Sequence, residues 1–172
     1  YDVIENVKNF RCELGILYLN DFNRKVLEKI FEENNLEFHE LFDCQEYVYL
    51  WSGHPLAKKK KITLEDLEDY PFLSFDQGSN NSFYFAEEVF STYEYKQSIK
   101  ANDRATMLNL MKGLNGYTLC SGIICENLNG SEYCAVKLST EETMTIGYLK
   151  RKGIPLSSIG KEYLKEISKY NN

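Results

Sequence analysis

The apolar positions of this chain follow two spacings, one typical of helices and one typical of strands. Spacings of three and four residues predict helices at residues 2–11, 21–35, 63–70, 83–95, 104–113 and 157–170. Short apolar or alternating runs predict strands at residues 12–19, 36–42, 46–52, 72–75, 97–102, 133–138 and 143–151, with a further strand and turns within 114–130. Helices and strands alternate along most of the chain, which favours an α/β protein.

Residues that can cap helices stand at the predicted helix starts. Asp21 precedes the second helix, and Asn102 or Asp103 precedes the fifth, where a side-chain oxygen can accept a hydrogen bond from a free backbone N–H group. Thr63 and Asp66 have the spacing of a capping box, with an aspartate in place of the usual Glu or Gln. These residues therefore predict where the helices begin.

The charge balance argues against binding to nucleic acid by this chain alone. The 172 residues carry a net charge of −6 and have a pI near 5.1, whereas contact with phosphates needs a basic face. One basic cluster, residues 58–61, is followed by acidic residues and is interpreted as a solvated loop or, alternatively, as an anion or partner contact. No apolar run approaches the roughly 20 residues that span a bilayer and no signal-peptide pattern opens the sequence, so no membrane partner is expected.

The cysteines do not form a recognisable metal-binding pattern. They stand at irregular spacing, with only two histidines to accompany them, and zinc sites need closely spaced pairs of these residues. We expect reduced, mostly buried thiols in a cytoplasmic protein, with no metal and no other cofactor. The five cysteines are Cys12, Cys44, Cys120, Cys125 and Cys134.

The segment "DQGSNNSF" is the strongest candidate for contact with a ligand. Gln77, Ser79, Asn80, Asn81 and Ser82 stand between a predicted strand end and a predicted helix start. Free backbone N–H groups and the positive end of a helix dipole at such a place suit a carboxylate, sulfate or phosphate. The alternative is that these residues only form a turn and cap the helix, which is common for Asn and Ser.

Candidate nucleophiles lack catalytic partners in the sequence. Cys120 and Ser121 lie in a glycine-flanked run, but no Gly-x-Ser-x-Gly elbow is present and the two histidines stand in unrelated contexts. The adjacent acids Glu87 and Glu88 point to different sides of any regular element and are expected to be solvated. The chain is therefore not expected to be an enzyme.

The segment "YVYLWSGHPLA", followed by a short capped helix and "DLEDYPFLSF", resembles the effector-binding domain of LysR-type transcriptional regulators. "ELGILYL", "LEFHELF", "TMLNLMKGLNGYTLCS" and "IGYLKRK" are similar to further segments of that family, in the same order. The resemblance implies a type 2 periplasmic-binding-protein fold, an α/β architecture of two lobes with mixed sheets flanked by helices. It places lobe I at residues 1–47 and 143–172 and lobe II at 48–142, with crossing strands near 47–53 and 143–149.

The resemblance implies a bacterial sensor of a small polar or anionic effector. The effector would bind in the cleft between the lobes and act on transcription through a winged helix-turn-helix domain outside these residues. Two alternatives stay open: a transport-type solute-binding protein of the same fold, and an enzyme built on it. His54 is expected to satisfy a backbone group. The implied effector-binding residues are Tyr18, Asn20, Gln77, Ser79, Asn80, Asn81, Ser82, Asp103, Arg104, Thr118 and Ser121.

The family domain ordinarily has a strand, a helix and a strand before the segment that corresponds to "ENVKNF". The first lobe is therefore expected to be incomplete, to expose apolar surface and to self-associate. The residues expected to be exposed are Val3, Ile4, Val7, Leu17 and Leu19.

Overall fold

The structure, a computed structural model, describes residues 1–80, 82–124 and 130–171. It contains two compact units, one formed by residues 1–44 and 143–172 (unit 1) and one formed by residues 45–142 (unit 2). The first boundary lies three residues earlier than the position that the resemblance gave, and the second lies at the same place. None of the helices within the described residues has the length and apolar character needed to cross a membrane.

Eight strands and four α-helices form the described parts of the two units. The strands are β1 (Leu14–Leu19), β2 (Leu36–Gln45), β3 (Tyr47–Trp51), β4 (Phe72–Phe75), β5 (Ser98–Ala101), β6 (Thr118–Cys120), β7 (Tyr133–Lys137) and β8 (Thr143–Arg151). The helices are α1 (Asp2–Lys8), α2 (Arg24–Glu33), α3 (Arg104–Leu114) and α4 (Ser158–Ile167), and single 3-10 turns occupy Glu65–Leu67, Gly78–Asn80, Phe83–Phe85 and Ser168–Tyr170. Each of these strands and α-helices falls within or overlaps a segment that the sequence assigned to the same type.

Unit 1 is built on a three-stranded sheet in which β8 lies between β1 and β2. β1 and β8 are antiparallel, with Leu14 opposite Lys150 and Leu19 opposite Thr145. The α2 helix begins at Arg24 with Asn23 as its N-cap, so the prediction that Asp21 caps this helix is wrong. The reason is local, because the chain makes a turn over residues 21–23 before the helix begins.

The apolar surface expected on unit 1 is mostly covered. Ile4, Val7 and Leu19 are buried and Leu17 is half-buried, so for these the prediction of exposure is wrong, and only Val3 is exposed. The pattern had indicated an apolar face but could not show what covers it. Other large apolar side chains of unit 1 are exposed instead: Phe10, Phe22, Ile159 and Tyr163.

Unit 2 contains an antiparallel sheet with β3 between β6 and β7, and a parallel pair formed by β4 and β5. Tyr49, Leu73, Met107 and Met111 form part of one buried cluster beneath α3. Backbone hydrogen bonds join the start of β4 to the start of β6, with the Leu73 N–H donating to the Tyr117 carbonyl at 2.7 Å. The two sheets of this unit are therefore linked through β6.

Hydrogen bonds of the "HPLA" segment and of Trp51 connect the end of β3 to the end of α3. His54 is buried, its Nδ1 accepts from the Leu56 N–H at 3.0 Å, and its Nε2 lies 2.9 Å from the Asn115 carbonyl oxygen. Since Nδ1 accepts, Nε2 carries the proton and donates to that carbonyl. Trp51 Nε1 donates to the Asn115 side-chain oxygen at 2.8 Å, and Asn115 ends α3 in left-handed geometry. The prediction that His54 satisfies a backbone group is confirmed.

Two capping predictions in unit 2 are confirmed as well. The Thr63 N–H donates to Asp66 at 3.0 Å and the Asp66 N–H donates to the Thr63 hydroxyl at 3.2 Å, which is the reciprocal pattern of a capping box. Asp103 caps α3 by accepting from the Thr106 N–H at 2.8 Å. The spacing of polar residues therefore predicted the caps at these two helix starts correctly.

Residues 83–95 do not form the predicted helix. After the single turn Phe83–Phe85, Ala86 is extended with ψ 141°, and Phe90 is left-handed with φ 54°. Aromatic and β-branched residues are frequent in this segment and lose side-chain freedom in a helix. The segment is held instead by buried side chains such as Glu88, which packs against the end of β4.

The cysteines are less buried than expected. Cys12 is exposed, and Cys44, Cys120 and Cys134 are partly buried cysteines that form no disulfide. Cys125 lies outside the described residues. The expectation of mostly buried thiols is therefore wrong for Cys12 and only partly met at the other three.

Candidate functional site

The carboxyl ends of three strands of unit 2 meet at one edge, which we call the carboxyl edge. β4 and β5 are parallel and end in register, with Phe75 opposite Ala101. Just beyond them, the Asp76 N–H donates to the Ala101 carbonyl at 2.9 Å. β6 runs parallel to β4 from the bridge between Phe72 and Tyr117, so its end at Cys120 points the same way. Ligands of α/β proteins commonly bind at such edges.

The loop after β4 supplies polar groups to the carboxyl edge. Gly78 has φ 58° and its N–H donates to the Asp76 carboxylate at 3.1 Å. Gln77 and Asn80 are half-buried and Ser79 is exposed. The backbone here closes on itself, because the Asn80 N–H donates to the Gln77 carbonyl.

The sequence predicted that a helix dipole points at this loop, and this prediction is wrong. Ser82 is half-buried and precedes only the three-residue turn Phe83–Phe85, which its side chain does not cap. A single turn has little aligned dipole. Asn81, the centre of the sequence argument, lies outside the described residues. The loop can therefore offer amide and hydroxyl groups, but not a helix terminus.

The helix terminus at the carboxyl edge belongs to α3. Asp103 and Arg104 stand at its start and are exposed. Hydrogen bonds from Thr106 hold the pKa of the Asp103 carboxyl below its usual value, so this carboxylate serves the cap. Arg104 brings a positive charge to the same place: burial raises the pKa of the Tyr49 phenol, and this charge opposes the rise.

The floor beneath the edge is formed by β3 and β6. Tyr49 lies opposite Thr118 in the antiparallel register. The Thr118 hydroxyl is buried and has no hydrogen-bond partner among the residues that the structure describes, which makes it available to a bound group. Ser121 is half-buried, and its hydroxyl accepts from the Ile123 N–H at 3.4 Å.

Glu88 is a buried acid near this edge that the sequence argument missed. Its carboxylate accepts from the Phe75 N–H at 2.9 Å, and burial raises its pKa to about 7. The expectation that Glu88 is solvated is therefore wrong, whereas Glu87 is exposed. No local signal marked it, because its contact is with the Phe75 N–H, 13 residues earlier in the chain.

The two predicted residues of unit 1 lie at the end of β1. Tyr18 is half-buried and Asn20 is buried. The Asn20 side-chain oxygen accepts from the Asn23 N–H at 3.0 Å, and the Asn20 N–H donates to the Asn23 side chain at 2.9 Å. Asn20 therefore stabilises the turn into α2, and its side-chain oxygen is occupied there.

Three side chains of types that often act in catalysis are Cys120, His54 and His39. Burial raises the pKa of the Cys120 thiol to about 11, so it is not a thiolate nucleophile near neutral pH. His54 is committed to backbone groups, and His39 stacks on Tyr148 in unit 1. Over the described ranges, no three acidic, His or Cys side chains are grouped in a way that could hold a metal ion.

Comparison with known proteins places this chain in a family. The family model described as the LysR substrate binding domain matches residues 1–165, and no curated protein sequence matches significantly. The effector-binding domain of QuiR in complex with shikimate is 19% identical with a TM-score of 0.62, over 99% of this chain and 79% of that chain. HinK, a LysR family transcriptional regulator from Pseudomonas aeruginosa, is 16% identical with a TM-score of 0.61, over 98% of this chain and 55% of that chain.

The reduced form of OxyR gives a similar result, with 19% identity and a TM-score of 0.60 over 98% of this chain and 75% of that chain. Identities this low show the fold, which is the periplasmic-binding-protein-like α/β fold implied by the sequence resemblance. The chain spans 55 to 56% of two of the regulators that it matches. The family match, which covers nearly all of the sequence, shows that this chain belongs to the LysR substrate-binding domain family.

Proposed function

We propose that this chain is the effector-sensing part of a bacterial transcriptional regulator, and that a small polar or anionic effector contacts the carboxyl edge of unit 2. The observation that carries the proposal is the meeting of three strand ends with the start of α3 and Arg104 at one place. An anion there would gain from the guanidinium group, because the Asp103 carboxylate already caps the helix terminus.

The neutral polar groups of the same edge would set the orientation of the effector. Gln77, Asn80, Ser82 and Ser121 are half-buried, so their amides and hydroxyls can reach a ligand without a large loss of mobility. Thr118 has a buried hydroxyl without a partner among the described residues, but it is the first residue of β6, so it stays in the proposed set from the family resemblance. The exposed Ser79 and the undescribed Asn81 remain in the proposed set on the strength of the family resemblance.

Tyr18 and Asn20 of unit 1 also remain proposed ligands from the resemblance. The Asn20 side-chain oxygen already accepts from the Asn23 N–H, so we propose its NH₂ group as the donor to an effector. The two residues can be tested separately from the carboxyl edge.

In this proposal the domain is a cytoplasmic sensor and not an enzyme. Effector binding would shift the population of its conformations, and a DNA-binding domain outside these residues would respond. The family match favours this function over a transport-type solute-binding protein. The gene sequence upstream of this segment discriminates between them, since a winged helix indicates a regulator and a signal peptide indicates a transport component.

We also propose that the domain self-associates through unit 1. Phe10, Ile159 and Tyr163 are 73%, 80% and 49% exposed, and exposed apolar side chains of this size favour association. Light scattering over a range of protein concentrations should show a dimer. A monomer at the highest concentration would contradict this part of the proposal.

Effector binding can be tested by thermal shift with a panel of small hydroxy-carboxylates. Shikimate is a reasonable first member, because it is the ligand in the QuiR complex. Loss of a hydrogen bond to a charged group costs about 1.5–3 kcal/mol, or roughly tenfold or more in affinity. Arg104→Gln should therefore abolish most of the stabilisation given by an active carboxylate.

The matched control is Arg11→Gln, which removes an exposed arginine of unit 1. This variant should keep the full ligand response. A carboxylate that stabilises the wild-type protein and both variants equally would show that Arg104 and the carboxyl edge do not bind it.

A further inference from the structure

A small pocket lies at the opposite, amino end of the same strands of unit 2. Its volume is about 60 Å³. Tyr70 and Gln97 come just before β4 and β5, and Tyr117 comes just before β6, so the pocket and the carboxyl edge lie at opposite ends of these strands. We call it the tyrosine pocket. Its lining residues are Leu64, Leu67, Glu68, Tyr70, Tyr93, Glu94, Tyr95, Lys96, Gln97 and Tyr117.

The aromatic walls of the pocket are held in place by packing. Tyr95 stacks on Phe72 with ring centroids 3.9 Å apart, and Tyr93 meets the edge of Tyr95 at 4.9 Å. The ring of Tyr117 is buried and lies 5.6 Å from Phe72. The Tyr95 hydroxyl donates to the Phe90 carbonyl at 3.1 Å. These contacts position the rings before any ligand arrives, which lowers the entropic cost of binding.

The charge around the pocket favours a cation. Glu68 and Glu94 line it, and Asp69 is close enough to act on Lys96. Lys96 is the basic side chain in the lining, and its ammonium group forms an ion pair with Glu68 that raises the Lys96 pKa. The chain therefore already places one ammonium group at this pocket, beside a carboxylate and the Tyr93 ring.

We infer that the tyrosine pocket binds a small organic ammonium ion. The faces of aromatic rings attract cations, and carboxylates and phenol oxygens accept hydrogen bonds from an ammonium group. A volume of about 60 Å³ has room for a molecule of a few heavy atoms, since a cavity needs about 10–15 Å³ of this kind to hold one water. Methylammonium, with two heavy atoms, is the simplest ion of suitable size, whereas a drug-sized ligand needs about 300 Å³ or more.

Methylammonium chloride is the probe, added to the whole chain carrying ¹³C-labelled tyrosine and followed by NMR of the tyrosine rings. Saturable shifts of the Tyr93, Tyr95 and Tyr117 resonances are expected. Sodium chloride at the same ionic strength and methanol, a neutral molecule with the same number of heavy atoms, should not reproduce them. Shifts that do not saturate, or that either control reproduces, would overturn the inference.

Three variants should change the affinity for methylammonium, two by weakening it and one by strengthening it. Tyr93→Leu keeps an apolar side chain but removes the ring, and should weaken methylammonium binding about three- to tenfold. Glu68→Gln removes the carboxylate and should also weaken it. Lys96→Met removes the competing ammonium group and should strengthen it.

Tyr163→Leu is the matched control, because Tyr163 is an exposed tyrosine of α4 in the other unit. It should leave the affinity unchanged, as should Arg104→Gln at the carboxyl edge, which separates this inference from the proposed effector site. Circular dichroism checks folding of each variant. If Tyr93→Leu does not fold, the opposite responses of Glu68→Gln and Lys96→Met decide. Unchanged affinity in both of them would refute the inference.

Discussion

Glu46 should make the stability of unit 2 fall as the pH rises above 5. This residue directly precedes β3 and is fully buried. Neither oxygen of its carboxyl group has a hydrogen-bond partner among the described residues. Burial, followed by the negative charge of Glu142, raises its pKa from 4.5 to about 7. The folded protein therefore favours the neutral carboxylic acid at this position.

The sign and size of the effect follow from the two pKa values. A group with a raised folded-state pKa contributes stability that is fully present below its unfolded-state pKa and lost as the pH rises through the folded-state pKa. The difference between 4.5 and about 7 corresponds to about 3 kcal/mol. Between pH 5 and pH 8, Glu46 alone should therefore lower the free energy of unfolding by about 2–3 kcal/mol.

Glu46→Gln removes the titration and keeps the size of the side chain. Between pH 5 and pH 8 the free energy of unfolding should fall for both proteins. The fall should be about 2 kcal/mol smaller for this variant than for the wild-type protein. Urea unfolding followed by Trp51 fluorescence measures this, because Trp51 is the one tryptophan of the chain and ends β3. Asp21→Asn, at an exposed acid of unit 1, should keep the wild-type dependence. If Glu46→Gln keeps it too, the reasoning on Glu46 is wrong.

Three further predictions concern unit 2 and the chain as a whole. Glu88→Gln should also flatten the decline above pH 5 in the same urea experiment, because burial raises the pKa of Glu88 to about 7. His54→Ala should lower the free energy of unfolding by about 2–4 kcal/mol, and a variant as stable as the wild-type protein would exclude this role. Since burial lowers the pKa of His54, its stabilising contribution is present above pH 6.5 and falls as the pH decreases. A gel shift with duplex DNA at physiological salt should show no complex, because the chain carries a net charge of −6, and tight binding would contradict this.

Local signals in the sequence predicted the parts of the fold that depend on local physics. The periodicities indicated the strands, and the spacing of Thr63 and Asp66 predicted a reciprocal cap that the structure contains. His54 was interpreted correctly because a proline directly follows it, which ends the strand and leaves backbone groups to satisfy. In each case the partners lie close together in the chain or at the end of one element.

Predictions failed where contacts that the spacing of residues does not show decide the structure. The segment 83–95 has helical periodicity, yet Glu88 reaches back to the end of β4 and its burial overrides the pattern. The N-cap of α2 moved from Asp21 to Asn23, because Asn20 and Asn23 exchange hydrogen bonds that spacing alone does not show. The tyrosine pocket likewise combines three segments that only the register of β4, β5 and β6 brings together.

The two proposed sites of unit 2 should act independently of each other. They lie at opposite ends of β4, a strand of four residues, which corresponds to about 10–13 Å at roughly 3.3 Å per residue. Effects of changes farther apart than about 7–10 Å, with no shared partner, usually add. The double variant Arg104→Gln with Tyr93→Leu should therefore show the loss of carboxylate response of the first and the loss of methylammonium response of the second. Titration of each ligand in the presence of the other tests the same point. A shift in either affinity would mean that β4 transmits a conformational change between its two ends. The middle of this strand is rigidly packed, since Leu73 is fully buried.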